Sequence, residues 1–147
     1  MARITLHQAS TIVDSALQEA RRLNLSPLGV VVLDEGGNLI VFKREDRAGL
    51  LRFDIAYGKA WGSLGMGIGS RELTERAPRM GAFFQALTAV SQGRVVPSPG
   101  GVLIQDAAGE IVGAAGASGD TGDKDEACLI AGIKAAGLNA IPGVVER

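Results

Sequence analysis

The amino-acid sequence predicts an α+β fold, with one central antiparallel sheet made from two β-hairpins and flanked by helices in the order α-ββ-αα-ββ-α. Three observations carry this. Two pairs of apolar, β-branched runs are each split by an Asp-x-x-Gly turn, one pair in each half of the chain. A long amphipathic stretch precedes the first pair. Further helix-patterned stretches lie between the pairs and after the second.

In chain order, Thr5 to Arg22 reads as a helix. Ala9, Ile12, Val13, Ala16, Leu17 and Ala20 recur at three-to-four spacing, Thr5 and Gln8 form a capping box, and Asn24 can stop the helix. Leu28 to Leu33, the turn Asp34 to Asn38, and Leu39 to Lys43 make the first hairpin. Phe53 to Met66 is helical, with Ala56, Gly58, Ala60 and Gly62 letting another backbone approach closely. Glu72 to Arg76 is a short helical piece, and Arg79 to Ser91 is a helix with Phe83, Phe84, Leu87 and Val90 apolar. Val95 to Gly101 is a loop. Val102 to Gln105, the turn Asp106 to Glu110, and Ile111 to Ala115 make the second hairpin. The last helix runs from about Asp123 to Ala136, capped by Gly137, and the tail Ile141 to Arg147 should pack on its own or a neighbouring subunit. Asp34 and Asp106, Gly37 and Gly109, and Leu39 and Ile111 share one constant offset. That match is either an ancient repeat or, the preferred reading, common turn chemistry, because Asp and Gly dominate such turns.

With 147 residues the chain suits a single domain, 1–147, with one core. It has 21 glycines, about twice the usual share, spread through apolar stretches as tight turns and close contacts require. Charges nearly cancel, at 15 basic and 16 acidic, and no basic stripe interleaved with aromatics argues for nucleic acid. The lone Cys128 excludes an internal disulfide. No apolar run approaches the ~18–20 residues of a membrane span, and no signal peptide is visible, so a cytoplasmic protein without membrane or nucleic-acid partners is expected.

The segment Gly116 to Glu126 carries the most chemistry. A strand runs into a turn of small residues that opens a helix, and such a turn points unpaired N–H groups at whatever lies before it. Ser118, Gly119 and Thr121, together with the second glycine turn at Gly100 and Gly101, are therefore candidate ligand contacts. The competing reading is a plain helix start, in which Asp120, Asp123 and Glu126 satisfy the helix end themselves. The segment does not match a G-x-S-x-G elbow, because its second glycine comes one position early.

Lys59 lies among small and apolar residues. It is either a partly desolvated lysine able to pair with a ligand carboxylate, or a snorkelling surface lysine. Arg44 belongs to the charge cluster Arg44 to Arg47, which is either solvated or sends Arg44 into a pocket. His7, the only histidine, reads as an exposed polar residue, and Met66 and Met80 as packing residues. No metal-ligand set exists.

At these residues the chain resembles the GlcG/HbpS-like heme-binding protein family, which also supplies the C-terminal domain of PduO-type proteins. The resemblance spans nearly the whole chain. It rests on the hairpin VVVLDEGGNLIVFKRED, the stretch IAYGKAWGSLGMG, the piece SRELTERA, and above all VPSPGGVLIQDAAGEIVGAAGASGDTGDKDEACLIAGIKAA. It implies a profilin-like domain that assembles into a homo-oligomer and binds a small molecule, heme or another carboxylate-bearing ligand. On that reading Arg44, Lys59, Gly100, Gly101, Ser118, Gly119 and Thr121 are the ligand-binding set. No heme axial ligand can be matched residue by residue. Two alternatives stand beside it. One is an enzyme acting on a small oxo- or hydroxy-acid by proton transfer (isomerase, lyase or tautomerase), with Lys59 and Ser118 catalytic. The other is a ligand-free structural or regulatory oligomer.

Overall fold

A computed structural model describes residues 3–146. It contains α1 (Leu6–Arg22), β1 (Gly29–Asp34), β2 (Leu39–Arg44), α2 (Arg52–Met66), α3 (Ser70–Arg76), a 3-10 turn (Ala77–Arg79), α4 (Gly81–Val90), β3 (Gly101–Gln105), β4 (Ile111–Ser118), α5 (Gly122–Ala135) and β5 (Asn139–Ile141). The α+β expectation holds. The two hairpins join through their inner strands into one antiparallel sheet of order β2-β1-β4-β3-β5.

Local chemistry explains the boundaries. Thr5 and Gln8 close both bonds of a capping box at α1, and Asn24 stops it in the left-handed region at φ 55°. In the hairpins, Asp34 Oδ1 accepts from the Gly36 and Asn38 amides, and Asp106 Oδ1 from those of Ala108 and Glu110. Gly37 and Gly109 supply the positive φ that each turn needs. Both hairpins thus turn on the same Asp and Gly chemistry.

The sheet is covered on both faces, so β1 is buried from Gly29 to Leu33 and reads there as a continuous apolar run. Val30 and Val32 pack with α1 and α5, around Ile12, Val13, Leu129 and Ile133. Val31 and Leu33 point the other way, onto Ala56 and Ala60 of α2. Gly101 and Gly116 face each other across β3 and β4, directly beneath α2. A Cβ on Gly116 would stand 2.0 Å from the Ala56 carbonyl oxygen, and one on Gly101 2.3 Å from that of Lys59. The glycine pair is a flat spot on which the helix backbone rests. The other small residues of α2, Gly58 and Gly62, instead admit the 94–96 segment. That segment crosses the helix with the Arg94 guanidinium 4.0 Å over the Trp61 ring.

Three features differ from expectation. A fifth strand was not expected: β5, which ends at Ile141 where the tail begins, pairs antiparallel with β3, and the tail packs on its own chain as the Gly69 amide donates to Gly143 O. Three residues with Pro142 behind them are too short for a periodicity signal. Arg147, the last residue of the expected tail, lies outside the described residues. The expected helix from Arg79 breaks into a 3-10 turn and α4, and no residue of α4 is buried. Met80, expected to pack, is 43% exposed.

Candidate functional site

The register gathers several of the expected residues at one end of the sheet. Gly29 of β1 pairs with Arg44 on one side and Ser118 on the other, so these three lie in a single transverse row. The Pro99–Gly100 turn closes the same end, where the Ala117 amide donates to Gly100 O. From there the chain passes through Gly119 and Asp120 into α5.

Beneath that end lies a sealed polar cluster. Lys59, 3% exposed, is not a snorkelling surface lysine. Its α2 stripe also carries Ala56, Ala60 and Ser63, all buried, and points Nζ past the strand end. Nζ donates to Ala117 O at 2.9 Å and meets Asp125 Oδ2 at 3.3 Å. Burial pushes the Lys59 ammonium down from its ordinary range, and Asp125 pulls it partly back. Burial likewise pushes the Asp125 carboxyl up, and Lys59 opposes that. Ser118, 1% exposed, accepts from Arg52 Nη1 at 2.8 Å. The Gly101 amide donates to Ser70 Oγ at 2.7 Å. Gly100 sits at φ 115°, where a side chain is strained, and a Cβ there would stand 3.0 Å from both the Ala117 carbonyl oxygen and Lys59 Nζ. Lys59, Gly100, Gly101 and Ser118 therefore come together, but as an interior whose polar groups already have protein partners.

The amides opening α5 correct a second expectation. The Asp120 amide donates to Asp125 Oδ1 at 3.0 Å, and the Thr121 amide to Asp120 Oδ1 at 2.8 Å. These two groups are not free for a guest; the segment's own carboxylates hold them, as negative charge at a helix N-terminus favours. Asp120 Oδ2 also takes the Ser26 amide at 2.8 Å, tying the turn to the loop before β1.

Those bonds, from Ser26 first and Thr121 second, hold the Asp120 carboxyl below its ordinary 3.8. A depressed folded-state value contributes stability above 3.8 that is lost as pH falls through the lower folded value. The melting temperature should accordingly fall on acidification below pH 4. Asp120→Asn should reduce that acid-dependent drop; an identical acid limb in the variant would contradict this role.

The accessible part of the end lies on the far side of Pro27, whose carbonyl abuts Gly119. Here Arg21, Pro27, Arg44, Glu45 and Asp46 line a hollow of about 460 Å³, within the range of small-molecule pockets. Arg21 is held by Glu45 at 2.9 Å and by Leu25 O at 2.8 Å. Glu45 also accepts from the Leu28 amide at 2.8 Å. Arg44 donates through Nη1 to Ala48 O at 3.0 Å and, among the described residues, has no carboxylate partner. Its planar fork thus keeps donors for an anion. Of the expected set, Arg44 lines this hollow, Gly119 is half-buried beside its Pro27 wall, and Thr121 is exposed nearby.

Sequence reasoning missed Arg21, Pro27 and Glu45, which only folding brings together. It also missed that Asp125 and Glu126 are buried and paired, with Lys59 and Arg71 respectively. A signal existed: Asp125 is one turn before Leu129 and two before Gly132, on the inner stripe of α5. Cys128 is fully buried, with its thiol pushed up to about 11 by desolvation, and stays protonated and unreactive. Among the described residues no cluster of three or more His, Cys, Asp or Glu could hold a metal ion, and no helix is long and apolar enough to cross a membrane.

Comparison with known proteins gives concordant matches. The family described as haem degrading protein HbpS-like matches residues 4–134. A relative 32% identical over 127 residues, covering 85% of this chain and 86% of its own, is an uncharacterized 15.0 kDa protein in the dhaT–dhaS intergenic region of Citrobacter freundii. Among solved structures, the PduOC:heme complex superposes with a TM-score of 0.84 at 27% identity, over 94% of this chain and 98% of that one. HbpS superposes with a TM-score of 0.77, also at 27% identity, over 91% of this chain and 90% of that one.

Proposed function

The chain belongs to the HbpS-like family, and from that premise we propose that it binds a carboxylate-bearing small molecule, heme foremost, in the hollow at the sheet end. The carrying observation is Arg44, an arginine without a carboxylate partner among the described residues, set on the wall of a ligand-sized hollow. A planar guanidinium meets a carboxylate through two parallel hydrogen bonds. Glu45 neutralises Arg21 and fixes it with Leu25 O, which leaves Arg44 as the charge offered to the ligand, and the Asp120 tie to Ser26 keeps the loop beneath in place. Heme carries two propionates, and a solved relative of the same fold is a heme complex. The fit extends to the acid groups and not to the iron: the lining offers no imidazole, thiolate, thioether or phenolate. No iron ligand is assigned, and no chemistry is derived through the metal.

The proton-transfer reading has weaker support. Lys59 and Ser118 lie side by side, but both are sealed, and Nζ is engaged by Ala117 O and Asp125. A homo-oligomer without membrane or nucleic-acid partners completes the proposal.

Titration with heme should shift the Soret band. Arg44→Ala should weaken binding about tenfold, the loss of one charge-assisted hydrogen-bonded contact. The diesterified porphyrin, which lacks the acid groups, should bind as weakly to wild type as heme binds to the variant. No spectral change at micromolar heme removes the tetrapyrrole. If carboxylates as a class also fail to raise the melting temperature, the ligand-free oligomer replaces the proposal.

A further inference from the structure

We infer that Asp125, buried in the first turn of α5, is a positioning residue for the ligand in the hollow, acting through a relay of bonds that leaves Arg44 free. The inference rests on the reading of that hollow as the binding site and adds the interior group that keeps its guanidinium available.

The relay starts in the core. Asp125 is 1% exposed, and its two oxygens face different partners. Oδ2 meets Lys59 Nζ, while Oδ1 accepts from the Asp120 amide. Asp120 Oδ2 accepts in turn from the Ser26 amide. Leu25 O and Ser26 O both accept from Arg21 Nη2, at 2.8 and 3.2 Å. Arg21 Nε meets Glu45 Oε2, and Glu45 Oε1 accepts from the Leu28 amide. Arg21 and Glu45 line the hollow, so a bonded path joins its wall to the buried pair.

Packing makes that path stiff. A Cβ on Gly119 would stand 2.2 Å from the Pro27 carbonyl oxygen and 2.9 Å from the Leu28 Cα. The backbone before Asp120 therefore lies directly on the 25–28 loop. A shift of the 119–120 turn must displace Pro27, which is itself part of the wall.

The state of Glu45 is what the relay protects. Glu45 follows Arg44 in the chain and lines the same hollow. Its oxygens are occupied, one by Arg21 and one by the Leu28 amide. Leu28 belongs to the loop that Asp120 ties down, and Arg21 is held by that loop's carbonyls. With the loop released, the Glu45 carboxylate competes with the ligand carboxylate for the Arg44 guanidinium.

Heme binding to two double variants tests this. Lys59→Met with Asp125→Asn removes the buried charges and keeps an acceptor for the Asp120 amide. Lys59→Met with Asp125→Ala removes the same charges and keeps none. The first should bind heme as wild type does, and the second about tenfold more weakly. In an Arg44→Ala background the two should bind alike, since no guanidinium is left for Glu45 to take. Circular dichroism checks the folding of both. Should the alanine variant not fold, Asp120→Ala cuts the same relay nearer the surface and should show the same tenfold loss against wild type. Equal affinity of the two double variants, or of Asp120→Ala and wild type, overturns the positioning role and leaves the hollow as the site. A tenfold difference that persists without Arg44 overturns the route through Glu45. Heme affinity unmoved by Arg44→Ala alone overturns the reading of the hollow, and this inference with it.

Discussion

Gly116→Ala is expected to destabilise the protein by about 3 kcal/mol or more, at or above the upper end of ordinary overpacking. The new methyl would stand 2.0 Å from the Ala56 carbonyl oxygen and 2.9 Å from its carbon. Both are backbone atoms of α2, so no side chain can turn aside. The helix must lift off the sheet, opening the apolar layer of Val31, Leu33, Ala60 and Leu103. Gly101→Ala strikes the same helix one turn on, at the Lys59 carbonyl and Ser63 Oγ. Because one displacement of α2 relieves both clashes, the double variant should lose clearly less than the two single losses together. Urea melts of the two singles and the double measure this. Additive losses would contradict a shared flat spot.

The second large effect is at the buried pair. Asp125→Ala leaves the Lys59 ammonium, 3% exposed, with only Ala117 O as partner. Removing one partner of a buried ion pair costs about 3–5 kcal/mol. The lysine can escape by losing its proton, which at pH 7 costs about 1.4 kcal/mol per unit from its ordinary value near 10.4, hence a ceiling near 5 kcal/mol. The sign follows from linkage. A lysine lowered in the folded state leaves the unfolded chain holding more protons, so stability rises with pH. The Asp125→Ala deficit should therefore shrink from pH 7 towards pH 10. Lys59→Met with Asp125→Asn removes both charges, keeps an Oδ1 acceptor for the Asp120 amide, and should recover most of the loss. A deficit independent of pH, or a double variant as unstable as Asp125→Ala, would rule out an ionised pair.

Legibility from the sequence followed the range of the physics. The capping box at Thr5, the stop at Asn24 and the Asp-x-x-Gly turns depend on residues within a few positions, and all were readable. The doubly covered sheet was implied by the run Val30 to Leu33, which does not alternate. By contrast, β5 is too short to show a period. The Gly101–Gly116 spot depends on strand register and on α2, and glycine content alone cannot locate it. Exposure of α4 was illegible for another reason: an apolar helix reads alike whether its own core or another chain covers it. Lys59 and Ser118 did come close together, but their surroundings were closed by Arg52, Asp125 and Ser70, none of which spacing could assign. Arg44 was legible as a charge at a hairpin end; the hollow beside it depends on Arg21 and Pro27, which approach only in three dimensions.

Hydrogen exchange with and without heme tests the binding site most directly. The amides of Ser26, Leu28 and residues 44–48, which line or underlie the hollow of Arg21, Pro27 and Arg44, should exchange more slowly with ligand present, and Arg44→Ala should need about tenfold more heme for the same protection. Protection confined to other segments, with these amides unchanged at saturating heme, would contradict the site.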